Sequence, residues 1–595
     1  MIGRAPSFGA IGAILRPVSA AAALPSGEPT TPPPAPDDRP PSRSGRSRQE
    51  RRVPLQVWLY PFLFLLGASA LIFLASHWLD ARRLPKAPPL LWNLTHFEGG
   101  PISDLLRDVS QLVTALLGVA ISVVAIIVEL AANRYTHKIT ELFFRSKVNF
   151  TVMGFFVIAA IDSIWVSFTF RDDFVPVWGT LVSMALMTLS MLLLLPYFAF
   201  VFDFLNPLNI VARIRSETLS VIRSAPAVIG TAQRSAESIQ ENAADGTEQL
   251  SDVVLNAMAN HDGAIAIASV TALGDLGQDY LDVKGALPLD WFVITDAVAE
   301  NPDFVSMSPE VLESVGRERD WFEFKLLRQF QTIYQGGLGG SRELCYVVAI
   351  KTRELAESAM DRSEPRVVSL CIKFFNTYLR STVNGRDVRT AYNVFHQYRL
   401  LAEAALQRNQ GRFAVEIARY FKYYGQLAFN ADLGFILETS AYDLCTLNEI
   451  AFNRQSPERQ ELLHIFLQVD KEGDGGTREA SLKGVRKAQV KLATWYLLHH
   501  DETSAREVFR DMRYESPARL ASIRDEILSV TSPEFWEVTD RGTNFDFIPA
   551  ARKRQLVEFF AWFGDTIPPP RVGLVPDEDP GERHAPANIP NPSVS

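Results

Sequence analysis

VSQLVTALLGVAISVVAIIVELAANRYTHKITELFFR, residues 109–145, decides the fold. Val109 to Val128 is apolar and uncharged, and at about 1.5 Å per residue it is long enough to cross a bilayer as one helix. Gln111, Thr114, Gly118, Ser122, Ala125, Glu129 and Asn133 recur every three or four residues. That spacing puts small and polar side chains on one stripe, which is expected to face other helices. Beyond Glu129 the helical period continues through Leu130, Tyr135, Ile139, Leu142 and Phe143, with Arg134, Lys138, Glu141 and Arg145 on another side. The reading predicts one helix that leaves the membrane as an amphipathic basic stem, to which Lys147 also belongs.

Around this stretch the composition is segregated. The chain has 595 residues, is 47% hydrophobic and carries a net charge of −9. Its long apolar runs all fall between Leu55 and Phe204. The chain therefore reads as all-α, a four-helix transmembrane domain joined to a large cytoplasmic helical domain. The acidic balance implies no nucleic-acid partner. Cys345, Cys371 and Cys445 are far apart and lack CxxC spacing, so they read as buried structural thiols in a reduced compartment.

Residues 1–52, with TTPPPAPDDRPP and SRSGRSRQERR, have the composition of a disordered tail, and residues 566–595 read the same way. The membrane domain is expected over 53–205, with spans at about 55–79, 109–131, 150–170 and 177–204. Arg43, Arg46, Arg48, Arg51 and Arg52 precede the first span, Arg134, Lys138, Arg145 and Lys147 follow the second, and Arg213, Arg215 and Arg223 follow the fourth. The excess of Lys and Arg on these segments puts both termini in the cytoplasm. The cytoplasmic domain is expected over 206–565. Within it Leu492, Ala493, Tyr496, Ala505, Phe509 and Pro517 fall at tetratricopeptide spacings, with a weaker copy through Leu401, Ala402, Ala414 and Ala418. Stacked tetratricopeptide-like hairpins and an irregular bundle both fit.

Asp162 lies within the third span, where an ionised carboxylate costs about 2.5 to 3.5 kcal/mol. Counting from the outer span ends predicts Gln111 and Thr114 as its partners. Glu129 lies roughly 18 Å away in depth at the helical rise, too far for an acid pair. The polar residues serve either as interhelical glue or as an ion or proton path. Elsewhere, DKEGDGGTREAS (470–481) imitates a calcium loop but ends on Ser481 in place of the bidentate Glu. GGLGGS (336–341) lacks the Lys of a phosphate loop, and His499 and His500 are adjacent, as at a helix end. No catalytic constellation, cofactor motif or metal-ligand spacing is present, and no enzymatic activity is expected.

VELAANRYTHKITELFFRSKVNFTVMGFFVIAAIDSIWV (128–166) and FDFLNPLNIVARI (202–214) resemble the bacterial family of predicted membrane proteins called domain of unknown function 2254. LNAMANHDGAIAIASVTALGDL (255–276) is similar to a family segment in which an Asn-Asp pair begins a helix. The resemblance runs over 109–276 and implies a multi-pass protein of the bacterial inner membrane, without implying a reaction. Two functional expectations follow. One is a membrane-anchored helical scaffold or sensor that binds a protein partner, its basic stem touching anionic lipid. The other is a homo-oligomeric ion channel or transporter, lined by the stripe of the second span and gated by the soluble domain.

Overall fold

The computed structural model describes residues 67–79 in part, 99–470 except 136–137, 145, 172–173 and 230–232, then 479–535, 541–564 except 543, and 567–570. All of these lie in one compact unit, Leu65–Ser595; a second unit, Met1–Phe64, lies outside the described residues. Most of the expected first span and of both tails is likewise outside them. The elements among the described residues are helices, and these residues contain no strand.

Among the described residues, three helices are long and apolar enough to cross a membrane: Ser110–Arg134, Lys147–Ser167 and Val177–Phe204. The first of these belongs to a longer helix, α1 (Gly99–Arg134). The expected continuous stem is broken: α1 stops at Arg134, and a separate short helix, α2 (Lys138–Phe144), follows. At the break, Tyr135 is held by the array. Its side chain is buried, and its carbonyl accepts a hydrogen bond from the Asn256 amide at 2.7 Å. After α2 come α3 (Lys147–Ser167) and α4 (Val177–Phe204), and α1, α3 and α4 pack on one another.

Asn206 then starts α5 (Pro207–Val228). Its side chain accepts from the Leu208 amide at 3.1 Å, and Pro207, with no amide hydrogen to satisfy, fits the first helical turn. The helices α6 (Gln233–Ala259), α7 (Gly263–Lys284), α8 (Pro309–Glu318) and α9 (Trp321–Gly337) follow. α5 and α6 approach closely because Gly246 lacks a side chain; a Cβ there would fall 2.0 Å from the Thr218 hydroxyl.

A regular series succeeds them: α10 (Arg342–Asp361), α11 (Pro365–Asn384), α12 (Val388–Gln407), α13 (Gly411–Asn430) and α14 (Gly434–Asn453). Each has 20 residues, and each starts 23 after the one before, at 342, 365, 388, 411 and 434. The turns between them are alike. Ser363, Arg386, Asn409 and Asp432 each take a left-handed backbone, with φ between 52° and 63°. The next amide reaches back five residues to a helix carbonyl, as from Glu364 to Ala359 and from Gln410 to Ala405, each at 2.8 Å. This double closure of the helix end is the Schellman arrangement, made here without glycine.

The array ends with α15 (Arg459–Phe466), α16 (Glu479–Leu498), α17 (Glu502–Met512), α18 (Pro517–Ser529) and α19 (Ala550–Ala561). Alternate helices build two layers. α7, α10, α12, α14, α16 and α19 pack side by side in the first layer, and α6, α9, α11, α13 and α15 in the second. Aromatic rings pack within and between the layers: Tyr334 stacks on Tyr378 inside the second at 4.5 Å, and Phe375 of the second stacks on Tyr398 of the first at 4.7 Å. Two helices of this series occupy 46 residues (2 × 23), against 34 for a tetratricopeptide unit. Pro517 opens α18.

Candidate functional site at the membrane end of the array

The polar residues of α1 point the other way from expectation. Gln111, Thr114, Ser122, Glu129 and Asn133 are all exposed. The face of α1 that meets α3 and α4 carries Ala120, Val124, Val128 and Ala132 instead. At 100° per residue the two stripes lie about 110° apart around the helix. The hydroxyls of the outward stripe bond within α1 itself, Thr114 donating to the Ser110 carbonyl at 2.8 Å and Ser122 to that of Gly118 at 2.9 Å. Side chains of this kind satisfy themselves along the helix and so need no inward position.

Asp162 is fully buried, but its partner is neither Gln111 nor Thr114. The Ser183 hydroxyl of α4 donates to Asp162 Oδ2 at 2.5 Å, while Oδ1 is buried without a partner. The reason is the tight α3–α4 hairpin. Asp162 lies 5 residues before the end of α3 (167 − 162) and Ser183 lies 6 after the start of α4 (183 − 177), so the two sit at one depth. Near the other end of the hairpin the Tyr197 hydroxyl donates to Asn149 Oδ1 at 2.9 Å, both groups buried. Polar links thus clamp the hairpin near both ends.

The second part of the site joins these helices to the array. Tyr135 sits in the same hydrophobic core as the array helices, bonded through its carbonyl to Asn256 of α6. Arg134 faces Asp262 at 3.6 Å. The Asp262 carboxylate also caps α7, accepting from the Ile265 amide at 3.4 Å. The apolar side of α2 completes the joint: Ile139 and Phe143 are buried, and Phe143 meets Phe204 of α4 edge to face at 5.3 Å. The Arg213 guanidinium lies 4.0 Å over the other part of that contact, the Phe204 ring. Arg215 binds Asp279 at 2.6 Å, fastening α5 to α7. Of the expected basic stem, Arg134 takes part through Asp262 and Lys147 is exposed. Arg145 and the Lys138 side chain lie outside the described residues.

The remaining sequence candidates serve structure. Asp470, first residue of the calcium-like stretch, is an ion-pair partner of Arg486 at 3.0 Å, and 471–478 lie outside the described residues. Gly336 and Gly337 close α9, and Gly339 turns the chain with φ +87°. His499 ends α16 against the Trp495 ring at 4.1 Å, and His500 takes the left-handed turn position. The three cysteines are free and buried, and burial pushes the Cys345 and Cys445 thiols up to about 12.

Fold and site together define an all-helical protein in which membrane-length helices are locked to a long two-layer array. Residues 55–280 match the family model described as predicted membrane protein (DUF2254). The resemblance drawn from 109–276 is thereby borne out. The match covers less than half of the chain, yet it contains both halves of the joint, from Arg134 and Tyr135 to Asn256 and Asp262. No curated protein matches the chain. One solved structure is described as a circular tandem repeat protein with novel repeat topology and enhanced subunit contact surfaces. It aligns with 78% of this chain and 96% of its own at 12% identity and a TM-score of 0.30, a score that carries no argument.

Proposed function

We propose that the protein is a membrane-anchored helical scaffold of the bacterial inner membrane, whose array, α5 to α19, lies on the cytoplasmic side and holds a protein partner. The observation that carries this reading is the joint. A span whose last residues share a core with the array, and whose terminal carbonyl and guanidinium are both bound by it, fixes the array rigidly to the bilayer surface. Long two-layer helical stacks present extended faces suited to binding other chains. Lys and Arg near the span ends supply the orientation, and exposed Lys147 beside them suits contact with anionic lipid. The test is photo-cross-linking in intact cells from probes set along the array. A discrete cross-linked partner supports the scaffold; its absence from every probe position rejects it.

A second reading rests on the outward stripe. Gln111, Glu129 and Asn133 turned toward lipid are costly unless another surface covers them. A second copy offering the same stripe would cover them, which favours a homo-oligomer and keeps ion conduction within reach. The mass of the protein in nanodiscs, followed by ion flux from liposomes, separates the readings. A defined ring with flux altered by Asp162→Asn supports conduction, whereas a monomer without flux leaves the scaffold alone.

A further inference from the structure

After α18 the chain returns across the first layer before forming α19. The described residues of 541–549, all but 543, run in irregular backbone over three successive helices of that layer. Arg541 Nη1 donates to Asp443 Oδ1 of α14 at 2.6 Å, and Nη2 to the Tyr392 carbonyl of α12 at 2.7 Å. Its guanidinium lies 4.1 Å over the Tyr392 ring. Four residues on, Phe545 stacks on Tyr442 of α14 at 4.8 Å with the planes 14° apart. Lys491 of α16 donates to the Phe545 carbonyl at 2.9 Å. Asp546 takes Lys487 of α16 at 2.6 Å and also the Tyr442 hydroxyl. A helical face that holds a main-chain carbonyl, an inserted guanidinium, a stacked ring and a carboxylate is recognising an extended peptide; here the peptide belongs to the same chain.

The fit is unfinished where the charges meet. Arg541 Nε and Asp443 Oδ2 are each buried without a partner, although guanidinium and carboxylate are shaped for two parallel bonds. The segment is tethered on both sides. The Asn544 amide donates to the Pro533 carbonyl at 2.9 Å, and α19 buries Leu556 and Phe559 in the core. A peptide free of those tethers can turn its guanidinium to close the second bond. Asp443 also keeps Arg399 at 3.2 Å, so losing Arg541 does not leave its charge alone.

We propose that the first-layer face around Tyr392, Tyr442, Asp443, Lys487 and Lys491 is a docking groove for an extended protein segment offering an arginine, an aromatic ring four residues later and a carboxylate beside it. Residues 541–549 occupy the groove until such a partner displaces them. This rests on the scaffold reading and names where its partner sits.

The test uses the full chain in nanodiscs and a fluorescent peptide of residues 541–549, read by anisotropy. An internal competitor acts at an effective concentration of about millimolar, so the unmodified chain binds the probe weakly. The Arg541→Ala/Phe545→Ala chain binds it at least about tenfold tighter, and adding Asp443→Asn reverses that gain. Hydrogen exchange gives a second readout on the unmodified chain. Excess unlabelled peptide speeds exchange at the chain's own 541–549 while α16 stays protected. Equal affinity of the unmodified and double-variant chains, or tight binding indifferent to Asp443→Asn, overturns the groove. Should the double variant lose protection over α14 and α16, the exchange experiment decides alone, and unchanged exchange at 541–549 overturns the proposal. Failure here leaves the scaffold to its cross-linking test; a partner cross-linked only elsewhere on the array sinks the groove by itself.

Discussion

His396 of α12 sets a pH limit on the array. It is largely buried, and the Arg399 guanidinium lies 3.2 Å from its Nδ1, a contact that requires Nδ1 to accept and places the ring proton on Nε2. Burial first, then the charges of Arg541, Arg399 and Arg353, lower its pKa to about 4. The unfolded chain binds this proton near pH 6.5 and the folded chain only near 4, so stability falls as pH drops through that window and levels off below it. At about 1.4 kcal/mol for each pH unit, the loss is at most about 3.5 kcal/mol, and solvent screening of the partly exposed ring lowers it. Glu323 of α9 opposes it. Burial raises its pKa to about 7 despite Lys284 at 2.6 Å, so its folded form holds a proton that the unfolded form has released, and stability rises as pH falls from 7 toward 4.5. The two trends overlap and partly cancel. The perturbation is therefore His396→Gln made in a Glu323→Gln background, whose amide retains a hydrogen bond for Lys284. Urea unfolding of the array in detergent, followed by circular dichroism at pH 7, 6, 5 and 4, is the assay. The Glu323→Gln parent loses stability steadily toward pH 4, and the double variant stays flat across that range. A parent and a double variant with the same slope refute the assignment of that proton to His396.

Three other outcomes follow from the geometry. Lys325 is fully buried and donates to Glu248, Asn301 and Asp303 at 2.5, 2.8 and 2.5 Å, so Lys325→Met leaves buried Asp303 with Gln329 at 2.5 Å and Arg328 at 3.8 Å and costs about 3 kcal/mol in urea unfolding; a cost under about 1 kcal/mol contradicts it. Gln455 holds a left-handed turn with φ 51° after α14, and Gln455→Gly raises the unfolding midpoint by an equivalent of about 0.5 to 1 kcal/mol, where a drop shows that the turn is not strained. Asp162→Asn keeps an acceptor for Ser183 and leaves the thermal stability of the membrane helices unchanged, whereas Asp162→Ala loosens the α3–α4 hairpin by about 1 kcal/mol; equal melting of both variants removes the pair from the clamp.

Several features were legible in the sequence because they follow from local pattern. Apolar runs of span length gave α3 and α4, and Asn206 and Asp262 stand where helix caps belong. The direction of the polar stripe was not legible. Ala120, Val124, Val128 and Ala132 have a spacing as regular as the polar one, and in a membrane either face can be turned inward. The partner of Asp162 could have been found by counting from the short turn between Ser167 and Val177, since helices joined tightly share depth residue for residue. The 23-residue period left no mark of its own because its turns do not use one amino acid. Ser363, Arg386, Asn409 and Asp432 share only a backbone state, and the bonds that close each helix run between main-chain atoms. The Arg541–Asp443 pair joins residues 98 apart, beyond any local signal.

The division of the chain at residue 280 then acquires a physical meaning. Up to Tyr280 the family match includes the membrane helices, α2 and the two side chains that hold the end of α1, Asn256 as donor and Asp262 as acceptor. α7 begins at the joint and is also the first member of the layer that continues through α10, α12, α14 and α16. It offers α10 the same kind of face that α10 offers α12, so helices can be added beyond it without disturbing the joint. Stacks of this kind gain stability chiefly from neighbouring interfaces. A change of a few kcal/mol far along the array, such as occupation of the groove at Asp443, therefore reaches α7 only if it shifts each intervening interface. A rigid array would hold its partner at a fixed height above the membrane, while a compliant one would transmit binding toward Asp262. Hydrogen exchange at α7 with and without the 541–549 peptide separates them: unchanged protection assigns the array to positioning, and altered protection assigns it to signalling.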